Sequence, residues 1–65
     1  MTRLRETRKA KRLTQDNVAA QTGISRTYYN HLEAGRRLPS LKVALHLARI
    51  FAVPVEDLFP LNDAS

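Results

Sequence analysis

With 65 residues, no cysteine and a net charge of +5, the chain has room for one domain, residues 1–65, and excludes disulfide and thiolate chemistry. No apolar run approaches membrane-spanning length, and the amino terminus lacks a signal-peptide core, so the sequence reads as a soluble, intracellular protein. Arg3, Arg5, Arg8, Lys9, Lys11 and Arg12 crowd the first dozen positions, whereas Glu56, Asp57 and Asp63 follow Val53 without a base, a polarity that suits one face placed on a polyanion.

From Thr2 to about Arg12 a first helix is predicted, capped by Thr2, with Leu4, Thr7 and the stems of Arg8 and Lys11 toward the core. Leu13 bridges to Thr14, the N-cap of a second helix, where Asp16 meets the positive end of the helix dipole. This helix runs to Gln21 or Thr22, with Val18, Ala19 and Thr22 at helical spacing. Gly23 falls where it must stop, because only glycine takes the left-handed conformation cheaply. Ser25 caps a third helix from Arg26 to about Ala34, with Tyr29 and Leu32 inward and Gly35 as its stop. A small Ala19, then Gly23, an apolar Ile24 and a capping Ser25 read as a helix-turn-helix.

Arg36-Arg37-Leu38-Pro39 is a loop, and Ser40 caps a fourth helix. Its core-facing stripe is read as Leu41, Ala44, Leu45, Ala48 and Phe51, with Lys42, His46 and Arg49 opposite. Val53-Pro54 breaks it, Val55 to Phe59 forms one short helix ended by Pro60, and Leu61–Ser65 is a polar tail. The expected fold is all-α, with five helices, no strand and no internal repeat.

Leu4-xxx-Arg8, Leu13-Thr14-Gln15, Val18-Ala19, Gly23-Ile24-Ser25, Leu32-Glu33-Ala34-Gly35, Pro39-Ser40-Leu41, Ala44-Leu45 and Val55-Glu56-Asp57-Leu58-Phe59 occur in that order. Together they resemble the Cro/repressor-type (XRE-like) helix-turn-helix family of bacterial and phage transcription regulators, in its small stand-alone members, over Leu4 to Phe59. The resemblance implies a five-helix DNA-binding domain of the bacterial cytosol, with a recognition helix at about residues 25–34. It implies that Gln15 clamps a phosphate and buttresses the third helix. It also implies that Arg26, Thr27, Asn30 and His31 face outward on the recognition helix, and that Arg8 and Glu33 form an internal salt bridge. Thr7 and Tyr29 depart from the family's usual aliphatic residues.

The side-chain chemistry points the same way. Arg26 has the fork geometry for guanine O6 and N7, Thr27 can meet a thymine methyl, and Asn30 can pair bidentately with adenine. His31, neutral, can donate or accept. Ser25, Tyr28, Arg36, Arg37, Ser40 and Lys42 are candidate phosphate contacts beside Gln15. Glu33 would repel phosphate and is assigned to Arg8; His46 is read as a surface residue. One such domain buries little surface, so a homodimer on a palindromic operator is expected, with half-sites about 34 Å apart. The candidate interface is Val53, Val55, Phe59 and Leu61, with Leu58 sealing the core.

Repression is the default expectation for such a domain. The alternative is an antitoxin that binds a partner toxin as well as its own promoter. No metal-ligand cluster, nucleophile–base spacing or phosphate loop occurs, so no enzymatic activity, metal or cofactor is expected. Four polar side chains on one exposed face argue against binding that needs only charge.

Overall fold

The structure is a computed structural model that describes residues 2–60. It contains α1 (Leu4–Ala10), α2 (Gln15–Thr22), α3 (Arg26–Glu33), α4 (Leu41–Phe51) and α5 (Val55–Leu58). The fold is all-helical, with no strand among the described residues. The predicted tail, Leu61–Ser65, lies outside them.

Local chemistry sets most helix ends. Thr14 Oγ1 accepts from the Asn17 backbone N–H at 3.0 Å, and Asn17 Oδ1 accepts from the Thr14 N–H at 3.1 Å. This reciprocal capping box fixes the start of α2 with asparagine in place of the usual glutamate. Gly23 adopts φ +78° and ends α2, its N–H bonded to the Ala19 carbonyl at 2.9 Å. Ser25 and Ser40 accept from the N–H of Tyr28 and Val43 and so cap α3 and α4.

The first helix is shorter than its sequence suggests. Arg3 occupies the cap position without a side-chain cap bond, and the Thr2 hydroxyl accepts from the Leu4 N–H at a long 3.5 Å. At the other end Arg12 takes φ +59°, which stops the helix, and Lys11 stands exposed rather than laying its stem on the core. Likewise α3 ends at Glu33 with Ala34 as its cap, and α5 ends at Leu58 with Phe59 as its cap. The fourth helix ends on Ala52 at φ +57°, two residues before Pro54, which is the N-cap of α5.

The core joins Leu4, Val18, Ala19, Tyr29, Leu32, Leu47, Phe51 and Leu58. Tyr29, the aromatic departure from the aliphatic pattern, lies wholly inside it. On α4 the buried face is Ala44, Leu47 and Phe51, while Leu41 and Leu45 are 75% and 52% exposed. The predicted stripe is therefore rolled around the helix. Leucines at 41, 45 and 47 offer two apolar faces, and only the one carrying Leu47 also brings Val43 and Ile50 against the core. His46 is half-buried and lines a shallow cleft with Gln21, Arg49 and Ile50. A backbone bond from the Arg3 N–H to the Leu58 carbonyl, 2.9 Å, ties the two ends of the fold together.

Candidate nucleic-acid interface

The site is built on α3, and α3 is held by an ion pair beneath it. The Arg8 Nε–H donates to Glu33 Oε2 at 2.6 Å, and Arg8 Nη1 reaches the Leu13 carbonyl at 3.0 Å. Arg5 adds a second cation, its Nε 3.5 Å from Glu33 Oε1. Gln15, the first residue of α2, donates from Nε2 to Glu33 Oε1 at 3.0 Å. The Glu33 side chain is fully enclosed. Burial pushes its carboxyl pKa up, but hydrogen bonds led by Arg8 outweigh that and hold it below the ordinary value. A charged group thus locks α1, α2 and α3 in register beneath the outward face.

Tyr29 lies next to this pair. Among the described residues its hydroxyl is buried without a hydrogen-bond partner. Burial first, and then the neighbouring Glu33, push the phenol well above its usual range.

Capping by Ser25 aims the first turn of α3 outward. Arg26, Thr27 and Asn30 are exposed and His31 is half-buried. Gln15, Arg26, Thr27 and Asn30 line one cleft of about 230 Å³ between α2 and α3. Gln15 also donates to Asn30 Oδ1 at 3.4 Å. At its rim the Arg26 Nε lies 3.6 Å from Asp16 Oδ1, both side chains being mostly exposed.

The other candidate phosphate contacts flank the cleft residues in sequence. Tyr28 is half-buried and packs on the core, with the Arg37 guanidinium 5.9 Å from its ring centre, a cation–π distance. Arg36, Arg37, Ser40 and Lys42 are exposed. The hydroxyls of Ser25 and Ser40 are already cap acceptors, which leaves each its O–H to donate.

The candidate interface residues belong to the α4–α5 turn and α5. Val53 and Phe59 are half-buried and packed on the core; Val55 is half-buried outside that packing. Leu61 lies outside the described residues.

Two features escaped the sequence reading. The Asp16–Arg26 approach carries no signal in a ten-residue separation. Leu38, Leu41 and Leu45 stand 88%, 75% and 52% exposed, and helical spacing alone assigned two of them to the core. No helix among the described residues is long and apolar enough to cross a membrane.

A model of the helix-turn-helix family matches residues 4–58. An uncharacterized HTH-type transcriptional regulator of Archaeoglobus fulgidus is 40% identical over 62 residues, covering 95% of this chain and 89% of that protein. A protein of the same description from Methanothermobacter thermautotrophicus is 40% identical over 63 residues, covering 95% and 91%. Among solved structures, the restriction-modification controller protein C.AhdI from Aeromonas hydrophila superposes with a TM-score of 0.79 at 40% identity, covering 88% of this chain and 86% of that one.

Proposed function

The chain belongs to the helix-turn-helix family of transcriptional regulators, which are DNA-binding proteins and not enzymes, and from that premise we propose that it is a repressor. On this reading it binds a palindromic operator in double-stranded DNA as a homodimer, in the cytosol, with α3 in the major groove. The observation that carries the reading is the shared cleft of Gln15, Arg26, Thr27 and Asn30 on the outward side of α3. Arg26 and Thr27 read base edges from the first turn, with Asn30 and His31 one turn further on. Arg36, Arg37 and Lys42, with the capped N-termini of α3 and α4, supply phosphate contacts that fix register without reading sequence. Tyr28 and Ser25 complete that set.

Two copies are needed because one cleft touches too few base pairs for selectivity. The apolar surface of Val53, Val55 and Phe59, continued by Leu61 in sequence, is the proposed interface.

Selection of random duplexes by the purified protein at near-physiological salt tests the reading. Enrichment of a palindrome with half-sites about 34 Å apart is expected. Arg26→Ala then relaxes one position of each half-site by about 1–3 kcal/mol. Enrichment of nothing, with binding that collapses as salt rises, would reduce the protein to a charge-driven binder.

The exposed Leu38, Leu41 and Leu45 favour a second reading, an antitoxin that also covers a toxin with these leucines. Rescue by this chain of growth arrest caused by a neighbouring gene, lost in Leu41→Asp, would support it.

A further inference from the structure

Among the described residues, positive φ occurs at Arg12, Gly23, Gly35 and Ala52. Left-handed backbone costs glycine little and a residue with a side chain much more. Glycine fills the stop on either side of α3, whereas arginine fills the one between α1 and α2. That turn asks only for a residue that accepts φ +59°. The Arg12 N–H bonds to the Lys9 carbonyl at 3.0 Å, and the Leu13 N–H bonds to the Arg8 carbonyl at 3.1 Å. Both bonds belong to the backbone, and glycine would make them equally well. The side chain of Arg12 therefore has no part in closing the turn. It is exposed and has no carboxylate partner among the described residues. Arg5 and Arg8, by contrast, are engaged with Glu33, and Arg26 approaches Asp16.

The place of Arg12 beside the cleft supplies a use for that side chain. Gln15 lines the cleft and follows Arg12 across Leu13 and Thr14, so the two Cα atoms are at most about 11 Å apart. Each strand of a duplex carries one phosphate per roughly 3.4 Å of axis. A duplex seated in the cleft passes several phosphates within that span. The guanidinium presents them with a planar fork that fits two phosphate oxygens. We propose that Arg12 is a phosphate contact at the edge of each half-site, kept in the left-handed turn for its charge and against the preference of the backbone. The inference rests on the reading of α3 as the major-groove helix. The contact neutralises one phosphate per protomer and releases its counterion, so it strengthens binding without reading a base. Ala52 is the contrast, since it takes φ +57° and offers only a methyl group.

The experiment measures affinity over a series of salt concentrations. It uses the duplex enriched by the wild-type protein and one changed at the base pair read by Arg26. Arg12→Gly should stay folded and raise the thermal midpoint by a few degrees, because glycine suits the turn. Its affinity at near-physiological salt should fall about fivefold per protomer, equally for both duplexes. The slope of log affinity against log salt should shrink by about 0.9 per protomer. Arg12→Lys, which keeps the charge, should keep the slope. Arg49→Gln removes an exposed charge from the separate cleft of Gln21, His46 and Ile50, and should change the slope by less than about half as much. A wild-type slope in Arg12→Gly overturns the inference. An equal loss in Arg49→Gln also overturns it, since net charge is then the cause. An equal loss in Arg12→Lys, or a lower thermal midpoint in Arg12→Gly, overturns it by assigning the side chain to the fold. In each case an enriched palindrome still leaves the repressor reading standing, whereas a wild-type protein that enriches nothing overturns that reading first.

Discussion

Among the described residues the hydroxyl of Tyr29 is buried without a partner, and an unsatisfied polar group gains nothing from its enclosure. Tyr29→Phe should accordingly leave thermal stability unchanged or raise it. A loss of more than about 1 kcal/mol would show that the hydroxyl bonds to Glu33 or Arg8 in solution. Glu33 behaves in the opposite way. Its carboxyl is held below the ordinary value in the folded chain, so the stability it contributes is fully present above the unfolded value of about 4.3 and is lost as pH falls through the folded one. Urea midpoints should hold from pH 7 to about 5 and decline below about 4.5. Glu33→Gln should lower the midpoint throughout, since Arg8 is left unpaired, and should flatten the acid limb. An unchanged acid limb would assign the loss to other carboxylates. The resemblance implied the pairing of Arg8 with Glu33, and the structure holds the two at 2.6 Å. Periodicity also put Asn30 on the outward face. What no periodicity supplies is the neighbour that Asn30 meets from α2, because the Gln15 amide reaches it across a helix boundary and fifteen residues.

At the level of elements, the legible ends are those with a local chemical cause. Thr14, Ser25 and Ser40 cap because a short hydroxyl side chain reaches an N–H in the first turn, and Gly23 and Gly35 stop because they accept positive φ. The ends that the sequence concealed are Arg12 and Ala52, where an ordinary residue takes the left-handed conformation that glycine would normally supply. Such a residue gives up roughly 1–2 kcal/mol, which is set against the capping bonds that close each turn, from the Leu13 N–H to the Arg8 carbonyl and from the Val53 N–H to the Ala48 carbonyl, both 3.1 Å. Ala52→Gly should raise stability by up to about 1 kcal/mol, the relief of φ less the greater chain entropy that glycine loses on folding. Because Ala52 is exposed and distant in sequence from the cleft, DNA affinity should not move. A measured loss of stability on thermal unfolding would mean that its methyl group packs against a neighbour. The face of α4 was hidden for a different reason. Three leucines in seven residues satisfy two helical stripes, and the choice between them is made by α2 and α5, which the fourth helix cannot announce by itself.

For the whole molecule, the proposed function places reading and assembly at different ends. The cleft lies at the N-termini of α2 and α3, whereas Val53, Val55 and Phe59 gather at the α4–α5 end. Phe59 and Val53 also pack on the core, so substituting either confuses loss of assembly with loss of folding. Val55 avoids that confusion. It is half-buried, lies outside the core packing and occupies the first position of α5, where an aspartate is favoured by the positive end of the helix. Val55→Asp should therefore stay folded by circular dichroism, yet sediment as a monomer where the wild-type chain sediments as a dimer. Each monomer would then have to occupy its half-site alone, and the gain from linking two half-site contacts would be lost. Affinity for a palindromic duplex should fall about a hundredfold or more, while affinity for a single half-site stays the same. If Val55→Asp remains dimeric, the interface lies elsewhere. The exposed leucines at 38, 41 and 45 then become the surface to charge next, and Leu45→Asp separates the two faces because Leu45 lies outside the core packing.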